Sequence, residues 1–106
     1  MKLTDIHNVK NHAGLYCIRN TVNGKCYIGQ SIKLRKRIHK HVTNFKTNLY
    51  DTPLYRAFGK YGLENFEVIV LDTFRDTSNP KLKETMDKLE KKYIKEYNSY
   101  GSTGYN

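Results

Sequence analysis

Two short runs of β-forming residues, Gly14–Arg19 and Lys25–Gly29, lie on either side of Asn20-Thr21-Val22-Asn23-Gly24. An Asn-Gly step between such runs is a strong hairpin signal. With Cys17 opposite Cys26 and Tyr16 opposite Tyr27, the period of two puts both phenols on one face and both thiols on the other. Downstream the apolar spacing becomes helical. Ser31 is expected as an N-cap, followed by a stripe of Leu34, Ile38, Val42 and Phe45. Lys33, Lys36 and Lys40 fall on the opposite, solvated side, while Arg37 and His41 border the stripe at i and i+4. Thr52-Pro53 reads as the cap and first residue of a shorter helix through Leu54, Ala57 and Phe58, stopped by Gly62. The β-branched segment Asn65–Asp72 predicts a buried strand. Asn79-Pro80 opens a last helix with Leu82, Met86, Leu89, Tyr93 and Tyr97 on one face and Gly101 as its terminator.

This order predicts an α/β fold, with a small three-stranded, largely antiparallel sheet flanked by about three helices. There is no repeat, low-complexity tract or linker-like stretch, so residues 1–106 are expected to form a single domain. The polar stretch 1–12 is expected to be an N-terminal arm or loop.

Charge narrows the range of partners. The chain has 19 Lys+Arg against 10 Asp+Glu, a formal charge of +9. That balance favours a polyanion, with nucleic acid ahead of a membrane surface. The longest apolar run, Val68–Leu71, is far short of the roughly 20 residues of a membrane span. The first residues, Met1-Lys2-Leu3-Thr4-Asp5, do not resemble a signal peptide, so a cytoplasmic location is expected, and no protein partner is evident. Cys17 and Cys26 supply too few ligands for zinc, and in a reducing cytoplasm they are expected as paired buried thiols.

One charged residue is out of place. Glu90 lies at the edge of the last helix's apolar stripe, next to Met86, Leu89 and Ile94, while Lys88, Lys91, Lys92 and Lys95 take the exposed arc. A carboxylate on the core side needs a partner. A metal ion or an arginine would each supply one.

Gly14-Leu15-Tyr16 and Tyr27-Ile28-Gly29 resemble the paired motifs of the GIY-YIG nucleases, with Leu in place of the usual Ile in the first. The resemblance continues through Arg37, His41, Leu54–Phe66, Glu90 and Gly104-Tyr105-Asn106, and so covers about Gly14 to Asn106. It is closest to the catalytic domains of phage homing endonucleases, whose setting is a bacterial or phage-infected cell.

The resemblance implies a metal-dependent DNA endonuclease acting on double-stranded DNA. Glu90 would be the sole protein ligand of one Mg²⁺ or Mn²⁺, since hard oxygen donors suit such ions. Arg37 would contact the scissile phosphate and stabilise charge in the transition state. Tyr16 is the candidate to deprotonate the attacking water, Tyr27 to position water or phosphate, and His41 an alternative base or phosphate contact. A phenol with a pKa near 10 is a poor base at neutral pH, so the role requires the metal and Arg37 to depress it. Asn106 would orient the phosphate or hold the local structure. Tyr50 stands where several relatives carry a histidine, and packing or a DNA-backbone contact would each explain it. Gln30 stands where repair-type relatives carry a lysine, which favours the homing branch. Gln30, Lys33, Lys36 and Lys40 are candidate substrate contacts with Tyr50.

Each feature also has a plain reading. Tyrosines on a hairpin are usually cross-strand packing, an arginine beside a core stripe is usually a surface group, and an edge carboxylate usually pairs with a nearby cation. The rival function is a catalytically inactive, basic nucleic-acid-binding module of the same fold. No zinc cluster, helix-turn-helix pattern or long basic tail accompanies the motifs, so weak sequence preference is expected.

Overall fold

In the computed structural model, which describes residues 1–48 and 50–106, three antiparallel strands lie in the order β2-β1-β3. They are β1 (Ala13–Asn20), β2 (Cys26–Ser31) and β3 (Phe66–Phe74). The helices are α1 (Leu34–Thr47), α2 (Pro53–Tyr61) and α3 (Leu82–Glu96). This is the predicted architecture. One face of the sheet packs Tyr16, Ile18 and Val68 against Leu34 and Ile38 of α1 and Leu54 and Phe58 of α2. The other face carries Leu15, Cys17 and Ile28 toward α3, where Leu82, Met86 and Ile94 meet them. Cys17 and Cys26 are free, buried thiols on that second face.

The hairpin register differs from the expected one. Tyr16 pairs with Gly29 and Ile18 with Tyr27, while Cys17 pairs with Ile28 and Arg19 with Cys26. The cause is the loop. Asn20 N–H donates to the Lys25 carbonyl at 2.9 Å and Gly24 N–H to the Asn20 carbonyl at 2.8 Å, enclosing four residues. The Asn20 and Asn23 side chains accept the N–H groups of Val22 and Lys25, at 2.9 Å each, and stabilise that longer turn. The slip is two residues, so the faces survive. Tyr16 and Tyr27 remain neighbours on one face, now diagonal, with ring centroids 6.2 Å apart.

Residues 1–12 are not an arm. Leu3, Ile6 and Val9 are buried in the core beneath α1 and α2. Their spacing of three is a weak apolar signal, hidden between polar residues. Met1–Leu3 lies along the open edge of β3, where Val68 N–H donates to the Met1 carbonyl at 2.7 Å and Leu3 N–H to the Phe66 carbonyl at 3.0 Å. The last residues do the same for β2, with Tyr105 N–H donating to the Cys26 carbonyl at 2.9 Å. Part of each open edge of the sheet, Phe66–Val68 of β3 and Cys26–Ile28 of β2, is thus covered, which removes a template for unwanted pairing there.

Residues 11 and 12 also supply what Ser31 was expected to supply. Ser31 ends β2, and α1 begins three residues later behind Lys33, which makes no side-chain cap. The His12 carbonyl accepts from Leu34 N–H at 2.9 Å, and Asn11 Oδ1 accepts from Lys36 N–H at 3.2 Å. A remote segment therefore satisfies the free N–H groups at the start of α1. The α2 cap is as expected: Thr52 Oγ1 accepts from Tyr55 N–H at 3.1 Å, Pro53 follows, and Gly62 ends the helix at φ 85°. Helix α3 ends earlier than expected. Asn98, with φ 50°, takes the left-handed conformation just beyond the helix, while Gly101, expected as the terminator, has φ 67° in the following short turn.

Gly29 shows why the second motif ends in glycine. A Cβ there would stand 2.4 Å from the Tyr16 hydroxyl. Tyr16 is 0% exposed and has nowhere to move. Overpacking of this kind costs about 1–3 kcal/mol. Gly29→Ala is therefore expected to lower the thermal unfolding midpoint by several degrees, and an unchanged midpoint would show that Tyr16 is not held against this backbone.

Candidate active site

The candidate residues gather about β2, the edge strand at which the two faces of the sheet come within reach of one another. On the α1 face, Tyr16 and Tyr27 come from the hairpin, and Arg37 and His41 from successive turns of α1. The Tyr16 hydroxyl is 2.7 Å from His41 Nε2, and His41 Nδ1 is 2.9 Å from the Tyr55 hydroxyl. The His41 ring lies edge-on to Tyr16, Tyr27 and Tyr55, with centroids 5.8, 5.4 and 5.8 Å away. Tyr27, Arg37, His41 and Tyr55 line a depression of about 110 Å³.

Electrostatics follow from this burial. Loss of solvent holds the Tyr16 phenol well above its usual pKa, Tyr27 adds to the rise, and the Arg37 guanidinium opposes it. Burial raises Tyr27 as well, with Arg37 again opposing. Burial and then Arg37 push His41 down to about 4, so its ring is neutral at pH 7. Both ring nitrogens are engaged by phenols. His41, expected as an alternative base or a phosphate contact, thus stands neutral with both nitrogens engaged, and it holds Tyr16 and Tyr55. Tyr16 is wholly covered, whereas Tyr27 is half-buried and reaches the depression.

Across β2, Gln30 Nε2 donates to Glu90 Oε2 at 2.6 Å and to Asp87 Oδ1 at 2.8 Å. Lys83 Nζ also meets Asp87 Oδ1, at 2.8 Å. The Lys83 hydrogen bond and then that of Gln30 lower the Asp87 pKa. Gln30, expected as a substrate contact, is instead an internal ligand of two carboxylates one helical turn apart. Glu90 is near enough to Tyr27 to contribute to its raised pKa, which ties the two halves of the site together.

Asn106 makes the structural contacts of the second of its two expected roles. Its Oδ1 accepts from Ile28 N–H at 2.8 Å and from Ser99 Oγ at 2.7 Å, and its Nδ2 donates to the Ile28 carbonyl at 2.8 Å. The amide imitates a strand residue and fixes β2 between the two motif tyrosines and α3. Lys33, Lys36 and Lys40 are exposed and share a shallow hollow of about 230 Å³ with Arg37. Tyr50 is 55% exposed, and among the described residues it makes no side-chain hydrogen bond to the site.

Residues 12–106 match the GIY-YIG catalytic domain family. The chain belongs to the GIY-YIG family. Among its relatives, the chain is 33% identical over 90 residues to a probable intron-encoded endonuclease 1 of Neurospora crassa, covering 85% of this chain and 29% of that protein. It is also 33% identical over 95 residues to the intron-associated endonuclease 1 of Enterobacteria phage T4, covering 89% and 36%. The chain thus spans about a third of the length of these curated relatives. The solved catalytic domain of the homing endonuclease I-TevI superposes with a TM-score of 0.75 at 32% identity, covering 89% of this chain and 96% of that one. The chain carries the GIY-YIG nuclease catalytic domain, as its motifs led one to expect, and residues 1–11 lie outside the family match.

Two members of this candidate site were not singled out from the sequence. Asp87 stands three residues before Glu90 and so shares its side of α3, a spacing that was available. Tyr55 had no such signal. It reads as an α2 core residue, and only the packing of α2 across α1 brings its hydroxyl to His41.

Proposed function

We propose that this GIY-YIG domain hydrolyses phosphodiester bonds of double-stranded DNA with one Mg²⁺ or Mn²⁺. The observation that carries the reading is the juxtaposition about β2. A guanidinium and two phenols lie on one side, and two carboxylates held by one amide nitrogen on the other.

The residues fit a hard divalent cation. Glu90 and Asp87 present oxygens to the single amide nitrogen of Gln30, and a cation could replace that amide between them. Among the described residues no third His, Cys, Asp or Glu converges with them, so water and phosphate would complete the coordination. When bound, the ion would supply Lewis-acid stabilisation and a more acidic water. Arg37 would hold the scissile phosphate with a fixed fork of donors and offset charge developing on its oxygens. Tyr27, at the depression, would position water or phosphate. Tyr16 would accept the proton of the attacking water once bound substrate brings that water to its covered oxygen; Arg37 opposes, without outweighing, the rise that burial gives its pKa.

DNA is the substrate class that the surface charge suits. No aspartate or glutamate occurs between Asp5 and Asp51, a stretch that holds β1, β2 and all of α1. Lys33, Lys36 and Lys40 flank Arg37, and Lys36 also borders a hollow of about 560 Å³ with Arg35, His39 and His7. These groups would track the phosphate backbone beyond the scissile bond. They position DNA without reading its bases.

Supercoiled plasmid incubated with the protein is expected to be nicked or linearised when Mg²⁺ or Mn²⁺ is added and to stay intact with EDTA. Salt-sensitive binding without cleavage would instead identify an inactive nucleic-acid-binding module.

A further inference from the structure

Tyr16, His41 and Tyr55 form an unbroken line of hydrogen bonds from a hydroxyl without solvent contact to the hydroxyl of Tyr55, a residue that with His41 lines the depression beside Arg37. A phenol has one hydrogen to give, and a neutral imidazole has one donor and one acceptor. Burial decides which way the line runs. Tyr16 is 0% exposed, so its hydrogen must be used inside the protein, and His41 Nε2 is the acceptor at 2.7 Å. The single ring hydrogen of His41 is then on Nδ1, which donates to the Tyr55 oxygen at 2.9 Å. Asn44 Nδ2 donates to the same oxygen at 3.4 Å. With its oxygen accepting twice, Tyr55 keeps its own hydrogen to give, and Tyr55, though only 7% exposed, lines the depression.

We infer that Tyr55 is the outer end of a proton path that carries the Tyr16 proton through His41 to the depression. In the transfer, the O–H bond of Tyr16 breaks as an N–H bond forms at His41 Nε2. The Nδ1–H bond breaks as an O–H bond forms at Tyr55, and the hydrogen Tyr55 held before passes to solvent. One proton leaves, and one negative charge stays on the Tyr16 oxygen. His41 changes tautomer and remains neutral throughout, which matters because burial and Arg37 both oppose an imidazolium there. The new Nε2–H then donates to the phenolate, beside the Arg37 guanidinium. This inference rests on the reading of Tyr16 as the base in DNA hydrolysis. It supplies the route by which a phenol with no solvent contact can ionise. Tyr55 acts through His41 and is a relay and positioning residue.

The tautomer can be read directly in the full chain by ¹⁵N NMR of labelled histidine, with neither DNA nor metal present. An Nδ1–H form of His41 is expected, and an Nε2–H form overturns the path. The second arm measures single-turnover plasmid cleavage in mixtures of H₂O and D₂O. The native protein is expected to show a curved dependence on deuterium fraction, the mark of several protons in flight. Tyr55→Phe is expected to make it linear and to slow cleavage roughly tenfold to a hundredfold. Unchanged curvature and rate in Tyr55→Phe overturn the proposal. A native protein that fails to cleave would sink the nuclease reading, while the NMR arm would still decide the direction of the hydrogen bonds.

Discussion

Replacing Glu90 with glutamine should abolish metal-dependent cleavage, with a loss of about a thousandfold in single-turnover rate. The carboxylate is the group that a divalent cation would use, and metal stabilisation of a phosphoryl transition state amounts to several kcal/mol, at about 1.4 kcal/mol per tenfold in rate. The substitution keeps the side-chain shape and removes only the charge. Gln30 Nε2, now 2.6 Å from Glu90 Oε2, could still donate to the amide oxygen, so the fold should persist. Calorimetric titration with Mn²⁺ should show weakened binding in parallel. Cleavage that survives Glu90→Gln would remove this carboxylate from the mechanism and turn attention to Asp87, the other oxygen donor on the same amide.

Arg37→Ala should cost about a hundredfold to a thousandfold in cleavage rate, the range for loss of one donor aimed at developing negative charge. Two effects combine. The scissile phosphate loses a fixed fork of donors, and Tyr16 and Tyr27 lose the cation that opposes the rise of their pKa values through burial. Arg37→Lys should recover only part of the loss, because an ammonium keeps the charge without the planar fork. Binding should change little by comparison, since one phosphate contact among many lowers the salt dependence by about one unit of slope. A fall in affinity with the single-turnover rate preserved at saturating DNA would make Arg37 an ordinary backbone contact.

The alternation of elements was legible because each rests on a local rule. The apolar stripe of α1, the Thr52-Pro53 start of α2 and the β-branched run of β3 all act within a few residues, and all stand where they were expected. The ends of elements were less legible. Ser31 has the right chemistry for an N-cap, yet the start of α1 is satisfied from residues 11 and 12, and no local pattern encodes a donor–acceptor pair across some twenty intervening residues. The hairpin register failed for a related reason. Two asparagine side chains built a longer loop than the Asn-Gly step alone suggests, and the faces survived because the slip was even.

By itself the sequence determined the family and the order of the elements, and it singled out the groups proposed to handle a phosphodiester, because motif spacing and hydrophobic period are properties of a one-dimensional chain. The opposing faces of Tyr16 and Cys17 belong to that class too. Only the tertiary structure decided how those groups are used. Whether a phenol is wet or dry, and which partner holds a carboxylate, depends on what packs from elsewhere in the chain. Burial made His41 neutral and closed both its nitrogens, the approach of β2 to α3 brought Gln30 between Asp87 and Glu90, and α2 delivered Tyr55 to the far side of the imidazole.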